Sequence, residues 1–271
     1  MTEACVLFET VDHVAVVTLN EAERMNPLTE GVQAGLLEAL ARIRADTSIR
    51  AMLLTARGRG FCVGADLKDF SRRAAELPEG DSLGRYVGRM METGGNAIVH
   101  GLATLPVPVV CAVNGAAAGG GFGIALAADV VIAARSAIFY LPFVPALGIV
   151  PDMGAGWTLV RSVGRARALA LALTGEKLPA EKAAQWGMIW DCVDDAALHD
   201  EAMRLARRLA ELPGHAIDET RSLFDAAETH GLADQLALER ERQERLIDGE
   251  SFTEGVRAFV ERRKPVFRGR A

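Results

Sequence analysis

Val113-Asn114-Gly115-Ala116-Ala117-Ala118-Gly119-Gly120-Gly121-Phe122-Gly123 closes the apolar run Val107 to Val113 and leads into the helix-compatible stretch Ile124 to Ala128. A second segment repeats this arrangement: Gly58-Arg59-Gly60-Phe61-Cys62-Val63-Gly64-Ala65-Asp66-Leu67-Lys68 follows an apolar run ending at Thr55. Both read as strand, glycine turn, helix. Such a junction leaves N–H groups at a helix start without intrahelical acceptors, and glycine lets a ligand come close to the backbone. It is a donor site for an oxyanion or a phosphate. One such cluster alone reads more readily as tight helix packing in a crossover turn; two in one chain favour the donor reading. Neither fits a nucleotide fingerprint. Gly119-Gly120-Gly121-Phe122-Gly123-Ile124 ends in Ile where G-x-G-x-x-G needs glycine, and the chain contains no G-x-x-x-x-G-K-[ST].

Working outward, Val14 to Leu19 and Ala51 to Thr55 are short apolar, β-branched runs that predict strands, and Val107 to Val113 is a third, opened by Pro106 and Pro108. Between them, Thr29 to Ala45 carries Val32, Leu36, Leu40 and Ile43 at helical spacing. Leu83, Tyr86, Val87, Met90, Met91, Ile98, Val99 and Leu102 mark a second long helix. This alternation predicts an α/β core with buried, largely parallel strands over residues 1–195. Residues 196–271 read as a helical region, with breaks near Pro213-Gly214, Gly231 and Gly249. No internal sequence repeat or low-complexity linker is evident.

Composition narrows the function. Half of the 271 residues are hydrophobic, 24% are charged, and the formal net charge is −6, the balance of a compact soluble protein without the basic footprint of a nucleic-acid binder. The first 19 residues lack a basic stretch followed by an apolar one, and the longest apolar runs are short or broken by Gly, Asn and Asp129. No membrane association and a cytoplasmic location are expected. Cys5, Cys62, Cys111 and Cys192 lie far apart without a CxxC pair, which predicts reduced thiols and no metal site. The five histidines are scattered, and no G-x-S-x-G elbow is present.

The two glycine segments closely resemble the paired signatures of the crotonase superfamily, the enoyl-CoA hydratase/isomerase family, and the likeness runs over nearly the whole chain. Its landmarks are Asn26-Pro27-Leu28, Ala65-Asp66-Leu67, Asn114-Gly115, Gly119-Gly120-Gly121, Asp129, Gly148-Ile149-Val150-Pro151-Asp152 and Phe259-Val260-Glu261-Arg262-Arg263-Lys264. The resemblance implies a spiral of ββα turns followed by a C-terminal helical oligomerisation region, assembled as a homotrimer or a dimer of trimers. It also implies an acyl-CoA substrate, with coenzyme A entering as part of the thioester and no permanently bound cofactor. By motif position, the N–H groups of Ala65 and Gly120 would form an oxyanion hole for the thioester carbonyl. The substrate would run along Met25, Asn26, Val63, Gly64, Asp66, Leu67, Lys68, Gly119, Gly121, Gly123, Phe143 and Val144. Asp66 fits better as an organiser of its own helix start than as a catalyst. Lys264 is a candidate coenzyme contact, because the family's matching lysine region can reach a CoA phosphate.

The chain departs from the family's hydratases, which use two glutamates to activate water. Gly123 stands at the first position and Phe143 or Val144 at the second, and none of these side chains titrates. Asp152 matches a position where some family isomerases carry an acid/base carboxylate. Its alternative role is an N-cap for a helix beginning near Gly154. An apolar pocket of Leu141, Phe143, Val144 and Trp157 would raise its pKa. Double-bond isomerisation through Asp152 therefore ranks first. Hydration by another water-activating arrangement, hydrolysis of the thioesterase or dehalogenase kind, and acyl-CoA binding without turnover follow.

Overall fold

The computed structural model describes residues 3–269. The chain opens with a hairpin: β1 (Val6–Val11) and β2 (Val14–Leu19) pair antiparallel. Its two turn residues, Asp12 and His13, both take positive φ (50° and 66°), the backbone twist that two-residue hairpins require. The apolar patterning marked β2 alone, because β1 alternates weakly and lies half-buried to exposed. Next come α1 (Glu30–Ala45), β3 (Ala51–Ala56), β4 (Gly60–Cys62), α2 (Leu67–Glu76), α3 (Leu83–Met90), α4 (Asn96–Ala103), β5 (Val109–Val113), β6 (Ala116–Ala118) and α5 (Gly120–Leu126). Then follow β7 (Val130–Ala134), β8 (Ile138–Tyr140), α6 (Ala155–Thr174), β9 (Leu178–Pro179), α7 (Ala180–Gln185) and β10 (Asp191–Val193). Four helices end the chain: α8 (Leu198–Ala210), α9 (Gly214–Ala227), α10 (Leu232–Ile247) and α11 (Glu250–Glu261).

Two sheets result, in the orders β1-β2-β3-β5-β7-β10 and β4-β6-β8-β9. Consecutive strands go to different sheets: β3, β5 and β7 stack parallel in the first, while β4, β6 and β8 stack parallel in the second. Each turn of chain thus adds one strand to each sheet and then a helix, which is the ββα spiral. The second sheet was not legible as strands. Its members are two or three residues long, and Gly60–Cys62 and Ala116–Ala118 lie inside the segments whose glycines mark turns.

The predicted helix of residues 29–45 forms as α1, with Thr29 as N-cap: its hydroxyl accepts from Val32 N–H at 3.2 Å, and Val32, Leu36, Leu40 and Ile43 are buried. The predicted second helix is interrupted. A π-helical turn at Met91–Gly95 joins α3 to α4, and burial of Ile98 and Leu102 anchors only the later half. After residue 195, α8 buries Leu198, Ala202, Met203 and Ala206 within the same core as β2, β3, β5 and β7. Helices α9 and α10 bury no residue. No helix among the described residues is long and apolar enough to cross a membrane.

Helix α9 is tied to the core by Arg221. Its Nε donates to Asp129 Oδ1 at 2.7 Å, Nη2 donates to Asp129 Oδ2 and to the carbonyl of Val107 (3.0 Å), and Nη1 donates to the carbonyl of Leu105 (2.6 Å). Asp129 also accepts from Val109 N–H at 2.7 Å, at the start of β5. The guanidinium is only 18% exposed, so removing it strands a shielded carboxylate and two carbonyls. Arg221→Met is expected to lower stability by about 3 kcal/mol. Urea unfolding measures this, and an unchanged midpoint would mean that α9 is held by something else.

Candidate active site

The first glycine turn is fastened by a buried amide. Met25 and Asn26 both take left-handed φ (59° and 54°), which turns the chain back so that Asn26, fully buried, donates to Arg57 O (3.0 Å) and Gly60 O (2.9 Å). Leu28 N–H then donates to Gly64 O at 2.8 Å. Asn26, expected along the substrate, holds through its Nδ2 the loop that carries Ala65, while its Oδ1 is buried without a partner among the described residues. Met25 does the same by packing, since a Cβ on Gly60 would lie 2.8 Å from Met25 Cβ. Asp66 fulfils its expected role as N-cap of α2, accepting from Lys68 N–H at 3.1 Å.

The second turn lies directly against the first. A Cβ on Gly64 would meet Gly120 N at 2.8 Å and Ala118 O at 3.0 Å, and Gly64 has φ +80°, so position 64 admits only glycine without displacement. Gly119 N–H is used, donating to Tyr140 O at 3.0 Å, and Phe122 N–H donates to Gly119 O at 3.1 Å. Gly120 is the first residue of α5, where N–H groups have no intrahelical acceptor. Ala65 N–H donates to no group among the described residues. Two free donors therefore stand on abutting turns, one of them at a helix start, as an oxyanion requires. Gly121 faces away: a Cβ there would lie 2.1 Å from Cys62 O, so it seats α5 on β4.

Gly123 has no room for any side chain. A Cβ there would lie 2.2 Å from Met153 O and 2.6 Å from Met153 Cβ. The segment before α6 therefore fills this place with its own backbone. Phe143 is buried, with Cζ 3.9 Å from a Cβ position on Gly119, and Val144 is half-buried in a π-helical turn, Phe143–Leu147. Apolar groups thus stand at both residues that the resemblance matched to the second carboxylate.

Asp152 does not cap α6. The N-cap of that helix is Gly154, with no side-chain hydrogen bond, and only the backbone carbonyl of Asp152 accepts, from Ala155 N–H at 3.0 Å. Its Oδ1 is buried without a partner. Burial pushes the carboxyl pKa upward, opposed in part by a backbone hydrogen bond. The neighbouring Met153 has its Cγ 3.3 Å from a Cβ position on Gly120, so the chain just after Asp152 packs against the start of α5. The buried thiols are poor nucleophile candidates: desolvation pushes Cys62 up to about 12 and raises Cys111 further.

A cleft of about 520 Å³ opens from Leu28 and Asp66 along α2 and α3, lined by Arg24, Lys68, Arg72, Arg73 and Met90 among others. Leu28 belongs to both places, since its Cδ1 lies 2.8 Å from a Cβ position on Gly120. Arg24 pairs with Asp66, Arg72 with Asp69, and Arg73 with Glu30 at 2.8 Å. Of the cleft cations only Lys68 was anticipated. Arg72 and Arg73 sit on α2, a helix not identified from the sequence, and Arg24 ends the short turn Ala22–Arg24. Leu67 is exposed at the cleft's edge of α2, and Val63 is half-buried in the turn itself. Lys264 does not line the cleft; it is exposed on the tail after α11. That tail is held to Glu254 by Arg263 and Val266 and to Arg50 by Phe267 O.

Two adjoining main-chain donors carried on a spiral of ββα turns define the crotonase-fold class. The enoyl-CoA hydratase/isomerase family model matches residues 9–270, and the chain belongs to that family of acyl-CoA enzymes. It is 46% identical over 257 residues to 1,2-epoxyphenylacetyl-CoA isomerase of Escherichia coli (strain K12), with 95% of each chain covered. Over 270 residues, all of both chains, it is 40% identical to a protein of Rhodobacter capsulatus named probable enoyl-CoA hydratase. Among solved structures it superposes on an enoyl-CoA hydratase from Polaromonas sp. JS666 with a TM-score of 0.88, at 31% identity and covering 97% of this chain and 99% of that one.

The raised pKa of Asp152 has a signed consequence. Between the ordinary aspartate value of 3.8 and the higher value in the fold, the folded protein binds more protons than the unfolded chain, so stability falls as pH rises through that window. Asp152→Asn removes the ionisation that burial opposes. The variant is expected to match the parent in acid below the window and to be the more stable of the two at neutral pH, as read from denaturant midpoints. Equal pH dependence in both proteins would show the carboxyl to be well solvated.

Proposed function

We propose that the protein isomerises the double bond of an enoyl-CoA thioester, with Asp152 carrying the proton and the N–H groups of Ala65 and Gly120 holding the thioester oxygen. The observation that carries this reading is the buried Oδ1 of Asp152, without a partner among the described residues, one residue before the methionine that packs on Gly120, where position 123 accommodates no side chain. The Asp152 carboxylate takes a proton from the α carbon of a β,γ-enoyl thioester. The released electron pair moves to the carbonyl oxygen, giving a dienolate conjugated with the β,γ double bond. Charge on that oxygen is met by the two N–H groups, an interaction stronger with the dienolate than with the neutral carbonyl. Asp152 then returns the proton to the γ carbon, and the double bond ends between the α and β carbons, conjugated with the thioester. One carboxylate suffices, because the proton lost and the proton gained are the same.

The substrate enters with its own coenzyme A, and no resident cofactor is needed. Arg24, Lys68, Arg72 and Arg73 around the cleft supply positive charge for the coenzyme phosphates, once the carboxylates that pair with them give way. We further propose a homotrimer or a dimer of trimers. Phe224 (67% exposed), Leu232 (76%) and Phe259 (85%) leave a broad apolar surface on α9 to α11 that a single chain does not cover. A second reading of the chemistry rests on the relative at 46% identity: the same donors and carboxylate would serve an epoxide of an arylacetyl-CoA, where opening the epoxide builds charge that the hole can share.

Asp152→Asn tests the proposal. The amide keeps the shape of the carboxyl but cannot accept the proton, so isomerisation is expected to fall by about 10² to 10⁴ with CoA affinity little changed. The measurement is the loss of β,γ-enoyl-CoA and the exchange of α and γ hydrogens in heavy water, with an epoxyarylacetyl-CoA assayed alongside. Isomerisation at the parental rate in the variant would remove Asp152 from the mechanism. Binding with no exchange in the parent would favour an acyl-CoA-binding protein without turnover.

A further inference from the structure

Met153 occupies a slot made by three glycines from two elements, the π-helical turn before α4 and helix α5. A Cβ on Gly95, in the π-helical turn between α3 and α4, would lie 2.4 Å from Met153 Sδ. One on Gly120 would lie 3.3 Å from its Cγ, and one on Gly123 would lie 2.2 Å from its carbonyl oxygen. Any side chain at 123 would strike Met153 backbone, while side chains at 95 or 120 would crowd its thioether arm. Met153 itself is held in a conformation that residues with a Cβ seldom adopt: its φ is +53°, followed by +74° at Gly154. The side chain is 5% exposed. A non-glycine residue in left-handed conformation, buried against the helix that carries Gly120, marks a place where the surroundings over-determine the backbone.

Met153 packs against Gly120, whose N–H has no intrahelical acceptor, and follows directly in the chain on Asp152, whose Oδ1 is buried without a partner among the described residues. A thioether filling this space presents no hydrogen-bond partner to water, and a water needs both room and polar partners to stay in place. We propose that Met153 is a specificity-determining positioning residue, a plug that keeps water from the donor pair and Asp152 so that the proton is returned to carbon before water can add. The inference rests on the proposed isomerisation.

The reaction being suppressed is conjugate addition of water. Its oxygen bonds to the β carbon, the α,β π electrons move onto the thioester oxygen, and the water proton passes to Asp152 and from there to the α carbon. This product, a β-hydroxyacyl-CoA, needs nothing that the isomerisation lacks except a water within reach of Asp152. Excluding water from a reactive intermediate is one of the functions of a closed site.

Three variants test the plug. Met153→Ala empties the slot, Met153→Gln keeps its length but offers a polar head to water, and Met153→Leu keeps it apolar and filled. The readout is the ratio of β-hydroxyacyl-CoA formed from an α,β-enoyl-CoA to hydrogen exchange at the α and γ carbons in heavy water, followed by mass spectrometry. A merely structural role would lower both reactions together and leave the ratio unmoved. The ratio is expected to rise by about tenfold or more in Met153→Ala and Met153→Gln and to stay at the parental value in Met153→Leu. If either of the first two folds and the ratio does not rise, or if the parent already hydrates as fast as it exchanges, the plug is wrong. Should Met153→Ala fail to fold, Met153→Gln decides alone. Failure of the isomerase reading is seen separately, as parental exchange in Asp152→Asn.

Discussion

The approach of Gly64 to Gly120 constrains the rest of the molecule. Two crossover turns, belonging to successive turns of the spiral, come so close that a single methyl on Gly64 would sit 2.8 Å from the nitrogen of Gly120. Parallel pairing of β4 with β6 brings the two turns to the same end of the second sheet. The bracket from Asn26 and the hydrogen bond from Leu28 to Gly64 O hold the first turn in place. The contact of Gly121 with Cys62 seats the helix that carries the second. Apart from the Asn26 amide, each of these is a main-chain or glycine contact, so the spacing of the two donor N–H groups is set chiefly by backbone packing.

The acid/base side of the site follows a different logic. Asp152 lies on a connection between the π-helical turn at Phe143–Leu147 and α6, where the chain has no sheet to direct it. Packing directs it instead. The backbone of Met153 settles onto Gly123, its side chain runs between α5 and the turn before α4, and Asp152 is left half-buried with one buried oxygen that has no partner among the described residues. A partly buried carboxyl opposes folding when charged, which is the cost of placing a titrating group near a carbon acid.

How much of this was legible in the sequence depended on whether the information was local. The strands β2, β3 and β5 were visible because buried parallel strands are continuous apolar runs, and α1 because its apolar residues recur at helical spacing below a threonine cap. The second sheet was hidden because its strands are too short to show a pattern, although they carry the repeat that makes the spiral. The glycines marked two donor turns, and the resemblance supplied Ala65 and Gly120 within them by motif position. Asp66 was rightly read as a cap, whereas the hydrogen bonds of Asn26 Nδ2 to Arg57 and Gly60 pair residues more than thirty positions apart, which no local pattern reveals. Met153 carried no sign at all, since a methionine that fits three glycines is defined by the glycines' positions in space.

Because both donors belong to the main chain, the usual survey by alanine replacement would pass over them. Position 65 is alanine already, and at position 120 the added methyl would meet Leu28 Cδ1 at 2.8 Å, so any loss would report a steric collision and leave the N–H untouched. Evolution faces the same blindness in reverse: residue 65 is exposed and can change its side chain while the amide stays where the fold puts it. An exchange of the amide for an ester at either position, which deletes one hydrogen and preserves every side chain, is the alteration that addresses the donor itself.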